Sequence, residues 1–352
     1  LLYGDVRVSK RTMIWSTFVV ALGTIISTTW ILAANSWMQT PAGYEMDSQG
    51  RFAPVNWWEV IFTISFAWRF PHMLLAVLLS ASLLIAGISA YYLIKMRARK
   101  FAMRSLSFGL GLLAIVIPFQ LMIGDSVAGN VLGPHQAPKI QALEGNWDST
   151  NTGYNVFVIP DMEAQKNLVQ VTIPLLGSYI SKDFSGQTAT PGLLETPRDL
   201  QPNMWTMFWG FRVMFYGSMF IFATAMIGVV LRLRQRLDTA RWFHKFVLWM
   251  TPVGIIAILG GWVVAETGRQ PWVVYGQLRT ADAVSALATP QMIFSLSAFV
   301  GTYLTMLTIY IVYLVKTVRT GPERDDPRLR PAAPDGLDPS AALAGAGERS
   351  GS

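Results

Sequence analysis

Long apolar runs, separated by shorter polar stretches, organise this chain. Segments 13–34, 70–94, 105–123, 204–231, 246–265 and 291–315 are each mostly apolar. A bilayer-crossing helix takes about 20 such residues, so each segment predicts a span. Each must be helical, because lipid offers no partner for free backbone groups. The pattern predicts an all-α, polytopic transmembrane helix bundle with six spans in this chain. The polar stretches divide it. Residues 1–123 hold three spans and an external loop at 35–69, and 204–320 hold the other three. Segment 124–203 is too long for a simple connection and predicts a partly folded external lobe. The tail, 321–352, is rich in Pro, Ala, Gly, Asp and Arg and reads as disordered.

Charge orients the spans. Segments 1–12, 95–104, 232–245 and 316–330 hold 18 Lys and Arg. The opposite loops, 35–69, 124–203 and 266–290, hold 8 although they are much longer. The positive-inside rule puts Arg97, Arg99, Lys100, Arg232, Arg234, Arg236 and the tail in the cytoplasm. It puts 124–203 outside. Trp57, Trp58, Trp68, Trp205 and Trp209 fall near outer span ends, where an aromatic belt belongs. The net charge of +7 is explained by these loops and does not point to nucleic acid.

Composition narrows the chemistry. The chain is 52% hydrophobic and 14% charged, against about 25% charged in soluble domains. It has no cysteine, which excludes disulfides, iron–sulfur clusters and thiol nucleophiles. A redox cofactor would be held by His, Met or Glu. The chain begins Leu1-Leu2-Tyr3-Gly4 without a signal peptide and reads as an N-terminally truncated fragment.

Ionisable residues at membrane depth are costly, so each is a functional candidate. The predicted spans hold two, His72 and Arg212, with Glu266 just beyond the fifth. His72, in Arg-Phe-Pro-His-Met, is a helix-entry residue or an axial haem ligand. His135 and His244 fall in loops and read as solvated or structural. Met214 would ordinarily be packing. Arg212, two residues earlier, needs an anion, and a haem propionate is one. A His/Met pair suits a low-spin electron-transfer haem. Trp262 and Glu266 share a helix face, and Gly268 with Pro271 should end that helix beside Arg269. That stretch is an interfacial ion pair or a carboxylate ligand beside a charged cofactor. Lys139 and Glu144 form a solvated turn or an acid/base pair.

Four stretches carry a resemblance. They are Trp30-Ile-Leu-Ala-Ala-Asn-Ser-Trp-Met-Gln39 with the residues from Ala21 before it, the His72 region, Phe211-Arg-Val-Met214, and Gly268-Arg-Gln-Pro-Trp272. With Trp262 and Glu266 before the last, the chain resembles subunit I of cytochrome bd quinol oxidase over about residues 1–320. The resemblance implies about nine spans in a full subunit. The three preceding helices would carry the haem d histidine. It implies that His72 and Met214 ligate a low-spin haem b, with Arg212 beside it. Glu266 would ligate a high-spin haem b, with Trp262 and Arg269 near the haem pair. Lys139 and Glu144 match residues of quinol oxidation, and Ser27 and Asn35 match polar residues near the oxygen site. The compact loop between Glu144 and Met204 is similar to the family's short-loop branch, which includes cyanide-insensitive oxidases. Also implied are haem d, ubiquinol or menaquinol as substrate, oxygen, a bacterial inner membrane, subunit II, and a small single-span subunit. Quinol would be oxidised outside and oxygen reduced to water. The rival readings are a transporter or channel with Arg212 and Glu266 in its path, and a haem b anchor of a dehydrogenase.

Overall fold

The computed structural model describes residues 8–177, 191–284 and 287–322. Six stretches are helical, long and apolar enough to cross a membrane. Helix α1 is Lys10–Gln39, α3 is Ile64–Ile94 and α4 is Arg99–Val127. A short helix α2, Trp57–Ile61, precedes α3. Beyond α4 the chain continues as a π-helical turn, Ala128–Leu132, and then as α5, Ala137–Glu144. The remaining long helices are α6, Met204–Leu233, and α9, Thr289–Thr320. Between them the fifth span is two pieces, α7 (Arg241–Met250) and α8 (Val253–Thr267), parted at Thr251 and Pro252.

Local chemistry sets the starts. Ser9, Thr63 and Asn203 each accept a backbone N–H of the first turn of α1, α3 and α6. Thr63 therefore starts α3 six residues earlier than its apolar run, and this draws Arg69 into the span. Helix α1 likewise extends to Gln39, so Asn35 and Gln39 are helical. His244, expected in a loop, lies buried in α7 with Nε2 2.8 Å from the Leu237 carbonyl. The lobe is built on a hairpin, β3 (Tyr154–Asp161) with β4 (Lys166–Ile173). Smaller hairpins are β1 (Tyr44–Met46) with β2 (Phe52–Pro54), and β5 (Trp272–Val274) with β6 (Leu278–Arg279). The tail from 323 lies outside the described residues.

Helices α3, α4, α6 and α8 form the central bundle. Helix α3 packs on α4 and α8, and α6 packs on the same two, so α3 and α6 lie on one diagonal. The core is Leu79, Leu83, Ala86, Leu106, Leu113, Ile117, Ile221 and Ala225, with Phe243 and Val247 of α7 closing it. Small residues bring the helices together, as membrane packing requires. A Cβ at Gly109 of α4 would meet the Ser82 carbonyl at 2.9 Å. A Cβ at Gly260 of α8 would meet the Gly210 carbonyl of α6 at 2.8 Å. Helix α9 buries none of its residues, and its end is tethered by Arg97, which donates to the Arg319 and Thr320 carbonyls.

Gly109→Val is expected to force α3 and α4 apart. Overpacking of this kind costs about 1–3 kcal/mol. The check is a lower thermal midpoint of the purified protein in detergent; an unchanged midpoint would contradict the packing.

Candidate functional site

Three groups of polar side chains lie inside or against this bundle. The first is the junction of the lobe with α6. Arg212 is fully buried. Its Nη2 and Nε donate to the Asn155 carbonyl at 2.6 and 3.1 Å, and its Nη1 donates to the Leu143 carbonyl at 3.3 Å. Glu144 Oε2 lies 3.7 Å from Nη2. Phe208 and Tyr154 cover the guanidinium at 4.3 and 4.5 Å. Tyr216 adds a bond from its hydroxyl to the Val156 carbonyl at 2.7 Å. The expected partner of Arg212 was a haem propionate. Its described partners are the last turn of α5 and strand β3. Burial pushes the Glu144 carboxyl above its ordinary range, and Arg212 opposes that shift.

The second group joins α1, α5 and α8. Lys139 is 3% exposed. Its Nζ donates to Gln39 Oε1 at 3.0 Å, Gln136 Oε1 at 3.3 Å and the Ala265 carbonyl at 3.1 Å. An ammonium has three protons, so its donors are filled. Burial pushes the amine well below its ordinary range; Arg69 and Arg269 push the same way and Glu266 opposes. Lys139 and Glu144 share α5 but no partner: one faces α8 and the other faces Arg212.

The third group surrounds the end of α8. Glu266 is held at both oxygens, by Arg269 Nη2 at 2.7 Å and by Asn35 Nδ2 at 2.6 Å. The ion pair of the sequence reading is thus present, and α1 adds an amide to it. Trp262 packs on Leu32, Ala33 and Phe66. Ser27 is exposed on α1. Arg269 leaves Nε and Nη1 buried without a partner, and Arg69 leaves Nη1 so. Arg69, Arg269 and Lys139 thus outnumber Glu266 in one buried region.

His72 and Met214 come from the two diagonal helices. The His72 ring lies against α4, with Nε2 3.4 Å from Gln120 Nε2 and Nδ1 buried without a partner. A Cβ at Gly124 would stand 3.3 Å from its Cε1. The Met214 thioether lies against α8, where a Cβ at Gly261 would stand 2.9 Å from Sδ. Glycine faces therefore flank both side chains. Among the described residues no three His, Asp or Glu gather as a bare metal site.

Reading the apolar runs alone missed Arg69, Gln39, Gln120 and Gln136. Arg69 carried a legible signal, since it lies three residues before His72 and so on the same helix face. The glutamines carried none.

Fold and interior define a polytopic membrane helix bundle with charged side chains buried between its elements. The chain matches the family of cytochrome bd terminal oxidase subunit I over residues 1–322 and belongs to that family. It is 28% identical over 350 residues to cytochrome bd ubiquinol oxidase subunit 1 of Bacillus subtilis, covering 95% of this chain and 73% of the relative. It is 29% identical over 389 residues to cytochrome bd-II ubiquinol oxidase subunit 1 of Escherichia coli, covering 91% and 75%. The structure of bd oxidase from Geobacillus thermodenitrificans shares the fold, with a TM-score of 0.78 at 23% identity over 91% of this chain and 73% of that one. The chain is thus a haem-dependent subunit of a respiratory terminal oxidase, a quinol:oxygen oxidoreductase of the bacterial membrane. Family membership sets aside the transporter and dehydrogenase-anchor readings.

Arg212→Met should uncouple the lobe from α6. Breaking a buried charged network typically costs about 3–5 kcal/mol. Limited proteolysis should then cut the 146–177 hairpin faster than in the native protein; equal rates would contradict this role.

Proposed function

We propose that this chain oxidises quinol at the outer membrane face and holds the haems that carry its electrons towards oxygen. The observation that carries this reading is the placement of His72 and Met214 on two helices of the bundle. They stand on diagonal helices of one four-helix bundle, each beside a glycine. The His72 Nδ1 is orphaned in the interior, and buried polar atoms are rarely left so. A porphyrin fits this donor set: imidazole and thioether are its axial ligands in low-spin centres. Its carboxylates fit the spare donors of Arg69 and Arg269.

His72 and Met214 accordingly hold a low-spin haem b. Glu266 is the ligand for a high-spin haem b, oriented by Arg269 and Asn35. Trp262 lies on the same face of α8, four residues from Glu266, beside that pair. When bound, these groups and haem d supply the electron path from quinol to oxygen. The chain's own residues do the rest. Glu144, with 19% of its side chain exposed and its acidity reduced by burial, accepts the proton leaving a quinol hydroxyl. Arg212 fixes the turn that carries it. Lys139 donates to acceptors on α1, α8 and beside α5, and it seats α5 on α8. The substrate is ubiquinol or menaquinol.

Sidedness follows the charge count, with the lobe outside and the Arg232–Arg236 loop in the cytoplasm. Subunit II and a small single-span subunit complete the complex in the bilayer. The open faces of α1 and α9 leave room for neighbours of that kind.

His72→Ala and Met214→Leu are each expected to remove the low-spin haem b absorption while the protein still inserts in the membrane. An unchanged reduced-minus-oxidised spectrum in either variant would overturn the ligand assignment.

A further inference from the structure

Gln39 is the last residue of α1 and is 1% exposed. Four hydrogen bonds meet on it. Its Nε2 donates to the Ala265 carbonyl at 3.1 Å. Its Oε1 accepts from Lys139 Nζ at 3.0 Å and from Gln136 Nε2 at 2.8 Å. Its backbone carbonyl accepts from Gln136 Nε2 at 3.1 Å. Lys139 itself donates to the same Ala265 carbonyl at 3.1 Å. One carboxamide thus ties the residue before Glu266 to the start of α5, and α5 ends at Glu144.

We propose that Gln39 is a positioning residue for quinol oxidation, docking α5 onto the Glu266 end of α8 so that Glu144 is presented to substrate. This rests on the reading of the Glu144 face as the quinol site. The physical argument is satisfaction. A carboxamide offers both a donor and an acceptor, and this junction uses both at once. An apolar side chain of similar size fills the space but leaves Gln136 Nε2 and one Lys139 proton without their shared acceptor. Unsatisfied buried donors destabilise the docked position relative to an undocked one. Substrate then meets a protein docked only part of the time. Apparent affinity falls by that fraction, while turnover of the bound complex does not.

The test is steady-state quinol oxidation by the assembled oxidase, with haem content read from its spectrum. Gln39→Leu is expected to raise the quinol KM roughly tenfold, the scale of one lost charge-assisted hydrogen bond, with kcat within about threefold of native. Haem spectra should be unaltered. Gln39→Glu keeps the acceptor oxygen for Lys139 but loses the donor to the Ala265 carbonyl, so its KM should rise less than that of Gln39→Leu. A native KM in Gln39→Leu, or an equal rise in both variants, overturns the proposal. If Gln39→Leu fails to assemble, Gln39→Asn takes its place: its shorter amide falls short of Lys139, and a native KM there likewise overturns it. Glu144→Gln separates the two readings. If it oxidises quinol normally, the quinol-site reading has failed. If it is impaired while the Gln39 variants are native, only the role of Gln39 has failed.

Discussion

The Glu266 end of this bundle gathers more basic side chains than acidic ones. Arg69, Arg269 and Lys139 sit around a single carboxylate, Glu266, and guanidinium nitrogens of both arginines find no acceptor. A charge removed from water without a partner is expensive, and more so at membrane depth. The rest of the architecture is intelligible as the answer to that imbalance. Asn35 and Arg269 hold the one anion in place. Gln39, Gln136 and the Ala265 carbonyl give Lys139 three neutral acceptors. Nη1 of Arg69 and Nε and Nη1 of Arg269 remain without an acceptor among the described residues.

The lobe solves a related problem by a different route. Arg212 is also buried, yet strand β3 and the end of α5 satisfy it through the Asn155 and Leu143 carbonyls, Glu144 and a cage of aromatic rings. The two arginine environments divide the labour. One is complete without a ligand and acts as a joint between lobe and bundle. The other leaves guanidinium nitrogens without an acceptor among the described residues. Helix α5 lies between them, with Lys139 turned to the incomplete side and Glu144 to the complete one.

The spans were legible because apolar runs of that length admit one structure in lipid. Their ends were less so. A run-based reading starts α3 at Phe70, because Trp68-Arg69 interrupts the apolar stretch, whereas Thr63 caps the helix earlier and carries Arg69 inward. The candidate ligands His72, Met214 and Glu266 stood out as rare chemistry in apolar surroundings. The glutamines at 39, 120 and 136 did not, since an amide has no charge to mark it and its role depends on partners far along the chain. Arg212 was visible as a buried cation, but its partners lie in segment 143–155, and no local spacing links that segment to α6. The division of the fifth span at Thr251 and Pro252 was masked by an apolar run that continues through both.

The central claim is that the spare charge of Arg69 faces the carboxylates of a bound haem. Potentiometric titration of the haems in Arg69→Leu tests it most directly. A cation near a haem favours the reduced, more electron-rich state. Its removal should lower the midpoint potential of at least one haem b while the absorption spectrum keeps its native form. Midpoint potentials equal to those of the native protein, with haem fully loaded, would contradict the account.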